Sequence, residues 1–319
     1  SLMSKAVIIT DTPNLLNGMP NLSQKTQWQS IDCRDWKGIM KKTWIAIGGN
    51  PEATPKSLSG LEPWRQIMVL ANSPISQVDG LREMLQSEHS PPSPFACLAF
   101  TGERFHGNRG RSWQAIEGNL HLTTLFSPNL PAQELGIGLS IIPSLAVVDA
   151  FDHFEGLRKT AKIKWVNDVL LSGKKVSGVI TSTLTKGKNV EHVIFGIGVN
   201  IAATPSLNPG KFVQEPTSLR EIFPDTIITQ QTFLPVLLKC LNKRYNQLID
   251  KGSEPLLSDY ISQSCVIGRR VEIWEELTDS TSSSKILGRG IIENILPDLS
   301  IQLNNQIEPI CRGRLIFVN

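Results

Sequence analysis

Histidine and cysteine are scarce in this chain, and long apolar runs are missing altogether. The 319 residues include 5 histidines and 5 cysteines. Cys33, Cys97, Cys240, Cys265 and Cys311 are scattered, with no close pair, which argues against a disulfide framework or a zinc site and for a reducing compartment. His89, His106, His121, His153 and His192 make no metal-spaced pair, so no metal site is expected from protein side chains alone. No run of about 18 apolar residues occurs, and the N-terminus lacks the succession of a signal peptide. No membrane partner is expected, and the cytoplasm is the expected location. A net charge of +3 is too small to mark a nucleic-acid surface, and no pair of helices joined by a tight turn suggests a DNA-reading module. Neither a GxSxG elbow nor a Walker-type loop appears, which removes the commonest serine-hydrolase and P-loop readings.

What is present divides the chain into three parts. Residues 1–62 read as an N-terminal extension of unknown role, with the apolar runs "AVIIT" and "TWIAIG" adding edge strands at most. Residues 63–264 alternate strand and helix patterns. "QIMVLA" and "FACLAFT" read as strands and "SQVDGLREMLQSE" as a helix, and "GNLHLTTLF" alternates as a half-buried strand. A helix is expected over 133–155 and an amphipathic one over 230–250, with "KIKWV", "KVSGVITSTL" and "HVIFGIGVNI" extended between them. Residues 265–319 change to short strands, "RRVEIW", "GRGIIENI", "LSIQL", "QIEPI" and "GRLIFV", enough for a small β-barrel, with "TDSTSSSK" as a hairpin loop. The acidic "EIWEE" reads as an exposed strand face.

Three stretches could carry chemistry. "ERFHGNRGRSW" (103–113) sets Gly107 and Gly110 among Arg104, Arg109 and Arg111: glycines admit a ligand close to the backbone, and arginine forks grip phosphate or carboxylate. Taken alone it is equally a solvated surface loop. In "KIKWVNDVLLSGKKVSGV", Lys175 stands three residues before Gly178, where an ammonium beside an absent side chain can reach an acyl or phosphoryl oxygen. Without context a solvated hairpin, with Asn167 and Asp168 as turn residues, explains it as well. "FGIGVN", ending at Asn200, marks close backbone approach but opens no helix, so it is not a dinucleotide fingerprint.

The order of these stretches is more specific than any one of them. A Gly/Arg loop ending in Trp113, then "GNLHLT", "KWVND", "KVSG" and "GIGVN", then a small β tail, resembles the biotin protein ligase family over about residues 65–319. The resemblance implies an α+β fold like that of class II aminoacyl-tRNA synthetases, a mixed β-sheet flanked by helices with a C-terminal SH3-like barrel. It implies ATP-dependent formation of biotinyl-AMP and transfer to a lysine of a biotin carboxyl carrier protein or carboxylase domain, with ATP, biotin and Mg2+ taken up. A homodimer paired through sheet edges is the assembly such relatives suggest. Position by position, Lys175 matches the catalytic lysine. His106, Gly107, Asn108, Arg109, Gly110, Arg111, Trp113, Asn119 and Gly178 match the biotin and adenylate contacts, and Asn167, Asp168 and Asn200 the ATP-binding residues. Ser76, Gln77 and Gly102 stand where the family's biotin-contacting residues are expected.

The chain departs from the family's GRGRRG hexad, which here is "FHGNRG": Phe105 replaces a glycine, and His106 and Asn108 replace arginines. Less charge surrounds an adenylate, Phe105 is expected to strain where glycine is free, and a weaker hold on the intermediate follows. Two other readings keep the fold: a lipoate or octanoate ligase or transferase, and a non-catalytic protein that binds biotin or the carrier.

Overall fold

The computed structural model of the chain describes residues 6–20, 27–32, 34–276 and 285–318. Cys33 and residues 278–284 of "TDSTSSSK" lie outside that set. Alternation of apolar residues on strands builds two cores, one on each face of a single large sheet. On β4 (Gln66–Ser73), Ile67 and Val69 join one core while Met68 and Leu70 join the other. The same alternation occurs on β5 (Phe95–Gly102), where Ala96 and Leu98 join the first core and Phe95 and Cys97 the second.

The remaining elements of this unit are β1 (Val7–Thr10), β2 (Gln29–Ser30), α1 (Gly38–Ala46), β3 (Lys56–Ser59), α2 (Gln77–Gln86), β6 (Leu120–Phe126), β7 (Leu130–Pro131), α3 (Ala132–Leu135), α4 (Gly138–His153), β8 (Ala161–Lys164), β9 (Asp168–Leu171), β10 (Lys174–Lys186), β11 (Asn189–Val199), α5 (Leu219–Ile222), α6 (Gln230–Lys251) and α7 (Glu254–Gln263). The strands run in the order β2-β3-β1-β4-β5-β6-β11-β10-β9-β8, with β7 attached to β11. β4 is parallel to β1 and to β5; the other pairings are antiparallel, so the sheet is mixed. Helices α1 and α2 cover one face, and α4, α6 and α7 the other.

Several expectations change on this frame. "AVIIT" supplies β1, which sits inside the sheet between β3 and β4 rather than at its edge. "TWIAIG" is the end of α1, whose Met40 and Trp44, four residues apart, are buried together. β6, read from its alternation as half-buried, is buried along its whole length, His121 and Thr123 included: its second face is covered as well, at His121 by Trp113 and Phe105 of the 103–113 loop. Helix α4 is apolar all round because it packs between the sheet and α6 and α7. Helix α7 had no counterpart in the sequence reading.

Beyond α7, β12 (Arg270–Trp274), β13 (Ile286–Ile295), β14 (Ile301–Leu303) and β15 (Arg314–Phe317) form a separate small antiparallel sheet in the order β14-β13-β12-β15. "QIEPI", expected as a strand, contributes only the bridge of Ile310 to Ile301; Pro309 offers no N–H to a ladder.

Arg244 of α6 ties the helical layer together. Its Nε and one terminal nitrogen donate to both oxygens of Asp149 on α4, at 2.7 and 2.8 Å, and it also pairs with Asp259 of α7. Replacing Arg244 with leucine leaves Asp149 half-screened without its cation. The expected loss is about 2 kcal/mol, below the range for fully buried pairs because water reaches Asp149. A urea midpoint equal to wild type would contradict this.

Candidate active site

The K-x-x-G spacing acquires a physical reason in β10. Residues three apart on a regular strand point to opposite faces, but the β9–β10 register shifts between Lys175 and Ser177. The bulge returns Lys175 to the face of Gly178, where a Cβ would stand 3.2 Å from the Lys175 Nζ. That ammonium is 2.8 Å from Asp168 Oδ1, and Asp168 is the register partner of Gly178. Gly178 in turn faces Gly198 on β11.

Over this glycine pair lies the indole of Trp113. A Cβ at Gly198 would come within 2.2 Å of its ring, and one at Gly178 within 3.1 Å. A side chain at Gly198 would displace the indole, and one at Gly178 would crowd it. The Lys175 Nζ is 5.8 Å from the ring centroid, in cation–π range. Trp113 Nε1 donates to His121 Nδ1 at 3.3 Å, and His121 Nε2 lies 3.1 Å from the Ile116 carbonyl. This chain of bonds places the His121 proton on Nε2, and burial pushes its pKa down to about 4, so the ring is neutral.

Together these residues line a cavity of about 460 Å³. Of the expected residues, Ser76, Gln77, His106, Gly107, Asn108, Arg111, Trp113, Asn167, Asp168, Lys175, Gly178 and Asn200 are on its wall. Asn167 Nδ2 donates to the Val179 carbonyl, and Asn200 Nδ2 to that of Thr217. Ser76 caps α2 by accepting from the Asp79 N–H.

Four expected residues are placed differently. Asn119 is fully buried away from the cavity: its Oδ1 accepts from the N–H groups of Ile201, Ala202 and Ala203, and Nδ2 donates to the Ala203 carbonyl. It shapes the loop after β11. Arg109 and Gly110 are outside the lining; Arg109 Nε pairs with Glu276 Oε2 at 2.8 Å, across to the end of β12. Gly102 is also outside it, with the Phe105 ring 2.8 Å from where its Cβ would be. Phe105 itself escapes the expected strain: the left-handed positions of this loop are Arg104, Arg109 and Gly110.

Sequence reasoning missed several wall residues. Glu276, from "EIWEE", faces the cavity rather than forming an exposed strand face, held between Arg109 and, more distantly, Arg111. Arg314 of β15 and Lys164 of β8 also line it. Lys164 donates to Gln214 Oε1 at 2.8 Å, and burial pulls its pKa below the usual lysine value. The Pro- and Asn-containing stretch over 203–217 forms the outer wall through Pro205, Asn208 and Gln214, and Gln114 Nε2 donates to its Ser206 carbonyl. No one-dimensional signal marks these residues, because strands of two sheets bring them together.

Comparison with known proteins places this geometry. Residues 87–200 match the model of the Biotin/lipoate A/B protein ligase family. A biotin--[acetyl-CoA-carboxylase] ligase of Paracoccus denitrificans is 30% identical over 168 residues, covering 52% of this chain and 68% of that protein. The chain belongs to the biotin protein ligase family. The bifunctional ligase/repressor BirA of Bacillus subtilis is 28% identical over 183 residues, 57% of this chain, and the match spans only 54% of BirA. Among solved structures, the biotin protein ligase of Aquifex aeolicus in complex with biotin and ATP superposes with a TM-score of 0.60 over 79% of this chain and 98% of its own, at 21% identity. At that identity the likeness bears on the fold. The family's fold, a mixed sheet with helices and a small C-terminal antiparallel sheet, is the one seen here.

In this family member the loop over the cavity carries a titrating clasp where the hexad has arginine. His106 Nε2 is 2.7 Å from Asp79 Oδ2 on α2, and its Nδ1 is 3.0 Å from the Gly107 carbonyl. Partial burial lowers the His106 pKa, but the carbonyl and the carboxylate outweigh it and hold the ring above its ordinary 6.5. The folded value exceeds the unfolded one, so the stabilisation is complete below pH 6.5 and disappears as pH rises through the folded value. Wild type should therefore exceed His106→Gln in thermal stability at pH 5.5 and lose that advantage by pH 8.5. A difference that stays constant across this range would contradict the clasp.

Proposed function

We propose that the chain is a biotin protein ligase that acts in the cytoplasm, converting biotin and ATP to biotinyl-5′-AMP and transferring the biotinyl group to a lysine of a biotin carboxyl carrier domain. One observation carries the reading: the Lys175 ammonium, held by Asp168, lies over side-chain-free Gly178 inside the cavity. The Aquifex aeolicus ligase that shares the fold was solved with biotin and ATP bound.

In the first step a carboxylate oxygen of biotin attacks the α-phosphorus of ATP. An acyl–phosphate bond forms, the bond to the bridging β-phosphate oxygen breaks, and pyrophosphate leaves. Lys175 neutralises negative charge that builds on the α-phosphate and the carboxylate. In the second step the acceptor lysine amine attacks the acyl carbon, the C–O bond breaks, and AMP departs with that electron pair. Asp168 is the carboxylate at hand to take the amine's proton. Trp113 and the 103–113 loop cover the site and keep water from the mixed anhydride.

The donor set fits a magnesium ion shared with nucleotide phosphates. Asp168 would hold it, since Mg2+ needs only one or two carboxylates when phosphates supply further oxygens, and the ion would neutralise phosphate charge. A homodimer paired through sheet edges belongs to the same proposal and would appear as a doubled mass in sedimentation.

The test is isotope exchange between pyrophosphate and ATP with biotin, lipoate or octanoate as the acid. Wild type is expected to exchange with biotin, and Lys175→Ala to lose at least about a hundredfold in rate, on the scale of removing one preorganised electrostatic donor. Exchange with octanoate or lipoate alone would replace biotin as the substrate, and tight biotin binding without exchange would leave a binding protein.

A further inference from the structure

The first sixty residues precede the stretch matched by the family model, yet they touch the wall of the cavity. The contact is made at the end of α1. The Ile47 carbonyl accepts from Ser73 Oγ at 2.9 Å and from Gln77 Nε2 at 3.3 Å. Ser73 ends β4 and Gln77 is the first residue of α2, and both side chains are buried. The approach of the two helices is unusually close: a Cβ on Gly80 of α2 would stand 1.7 Å from the Ala46 carbonyl oxygen. Only glycine at position 80 allows the C-terminal end of α1 to reach Gln77.

This contact decides which end of the Gln77 amide does what. Ile47 offers an acceptor, so the amide must present its nitrogen there, and the oxygen is turned the other way. Gln77 Oε1 is buried and has no hydrogen-bond partner among the described residues. Gln77 lines the cavity and is 1% exposed. A buried carbonyl oxygen left without a donor is costly, and a ligand that brings an N–H removes the cost. Biotin carries two N–H groups on its ureido ring; lipoate and octanoate carry none.

We propose that the N-terminal segment is a working part of the acid pocket: the Ile47 carbonyl fixes the Gln77 amide so that its oxygen accepts an N–H from the ring of the bound acid. Gln77 is then a specificity residue that touches the acid, while Ile47, Ser73 and Gly80 are positioning residues that act through it. The inference rests on the biotin ligase reading above and adds to it the basis on which biotin is told from acids without a ring N–H.

The experiment measures KM for biotin and for ATP by pyrophosphate exchange, with circular dichroism as the check of folding, on wild type, Gln77→Leu, Ser73→Ala and Gly80→Ala. Gln77→Leu is expected to raise KM for biotin about tenfold and leave KM for ATP within about twofold, as for one lost hydrogen bond. It should also reduce the preference for biotin over biotin methylated on its ureido nitrogens. Ser73→Ala and Gly80→Ala should raise KM for biotin about threefold, again without moving KM for ATP. A folded Gln77→Leu with unchanged KM for biotin overturns the assignment of Gln77. If Gln77→Leu behaves as expected but the other two leave KM for biotin unchanged, the role of the N-terminal segment is overturned; should Gly80→Ala fail to fold, Ser73→Ala decides. A wild type that never exchanges with biotin instead overturns the underlying reading, an outcome separate from either failure.

Discussion

The bulge in β10 is the constraint on which the site depends. Without the extra residue between Lys175 and Ser177, the ammonium and the bare backbone of Gly178 would lie on opposite faces of the sheet. With it, cation and gap share one face, and the gap continues across the ladder to Gly198. A flat floor of two facing glycines follows, wide enough for an indole and bordered by a cation and a carboxylate. The indole of Trp113 rests on that floor, which leaves the cation and the carboxylate at its border facing the cavity.

Around that floor the protein spends its polar groups on holding loops. Asn119 gives one side-chain oxygen to three successive backbone N–H groups and so fixes the turn after β11. Glu276, two residues beyond β12 of the small C-terminal sheet, meets Arg109 of the covering loop, and Gln114 joins that loop to the outer wall at Ser206. The lid is therefore tied at several points, to the helix α2, the outer wall and the C-terminal sheet. Two side chains of the hexad serve these ties, His106 with Asp79 and Arg109 with Glu276.

The N-terminal segment changes meaning once it is seen in the sheet. β1 lies next to β4, and α1 shares a core with α2, so the segment buries one face of the strands that lead into the site. Trp36, Met40, Trp44 and Ile47 contribute to that core. Removing the segment would expose Met68, Leu70 and Phe95 as well as the back of α2.

The sequence by itself determined the alternation of strands and helices beyond residue 63 and the order of the chemical stretches, and it put forward Lys175, Asp168, Gly178 and Trp113 as candidates. Those signals are local: period-two alternation, a glycine beside a lysine, and motifs a few residues long. Tertiary structure alone decided that Glu276 and Arg314 face the same cavity as Lys175, that Asn119 supports a loop, and that Ile47 reaches Gln77. The physical reason is distance along the chain. Such contacts join residues that are tens to hundreds of positions apart, and a side chain's partner across a sheet or between two sheets leaves no period or spacing to read. His121 illustrates the limit: its alternating pattern announced a strand, but only the covering loop, through Trp113, Phe105 and the Ile116 carbonyl, made it a buried, neutral hydrogen-bond relay.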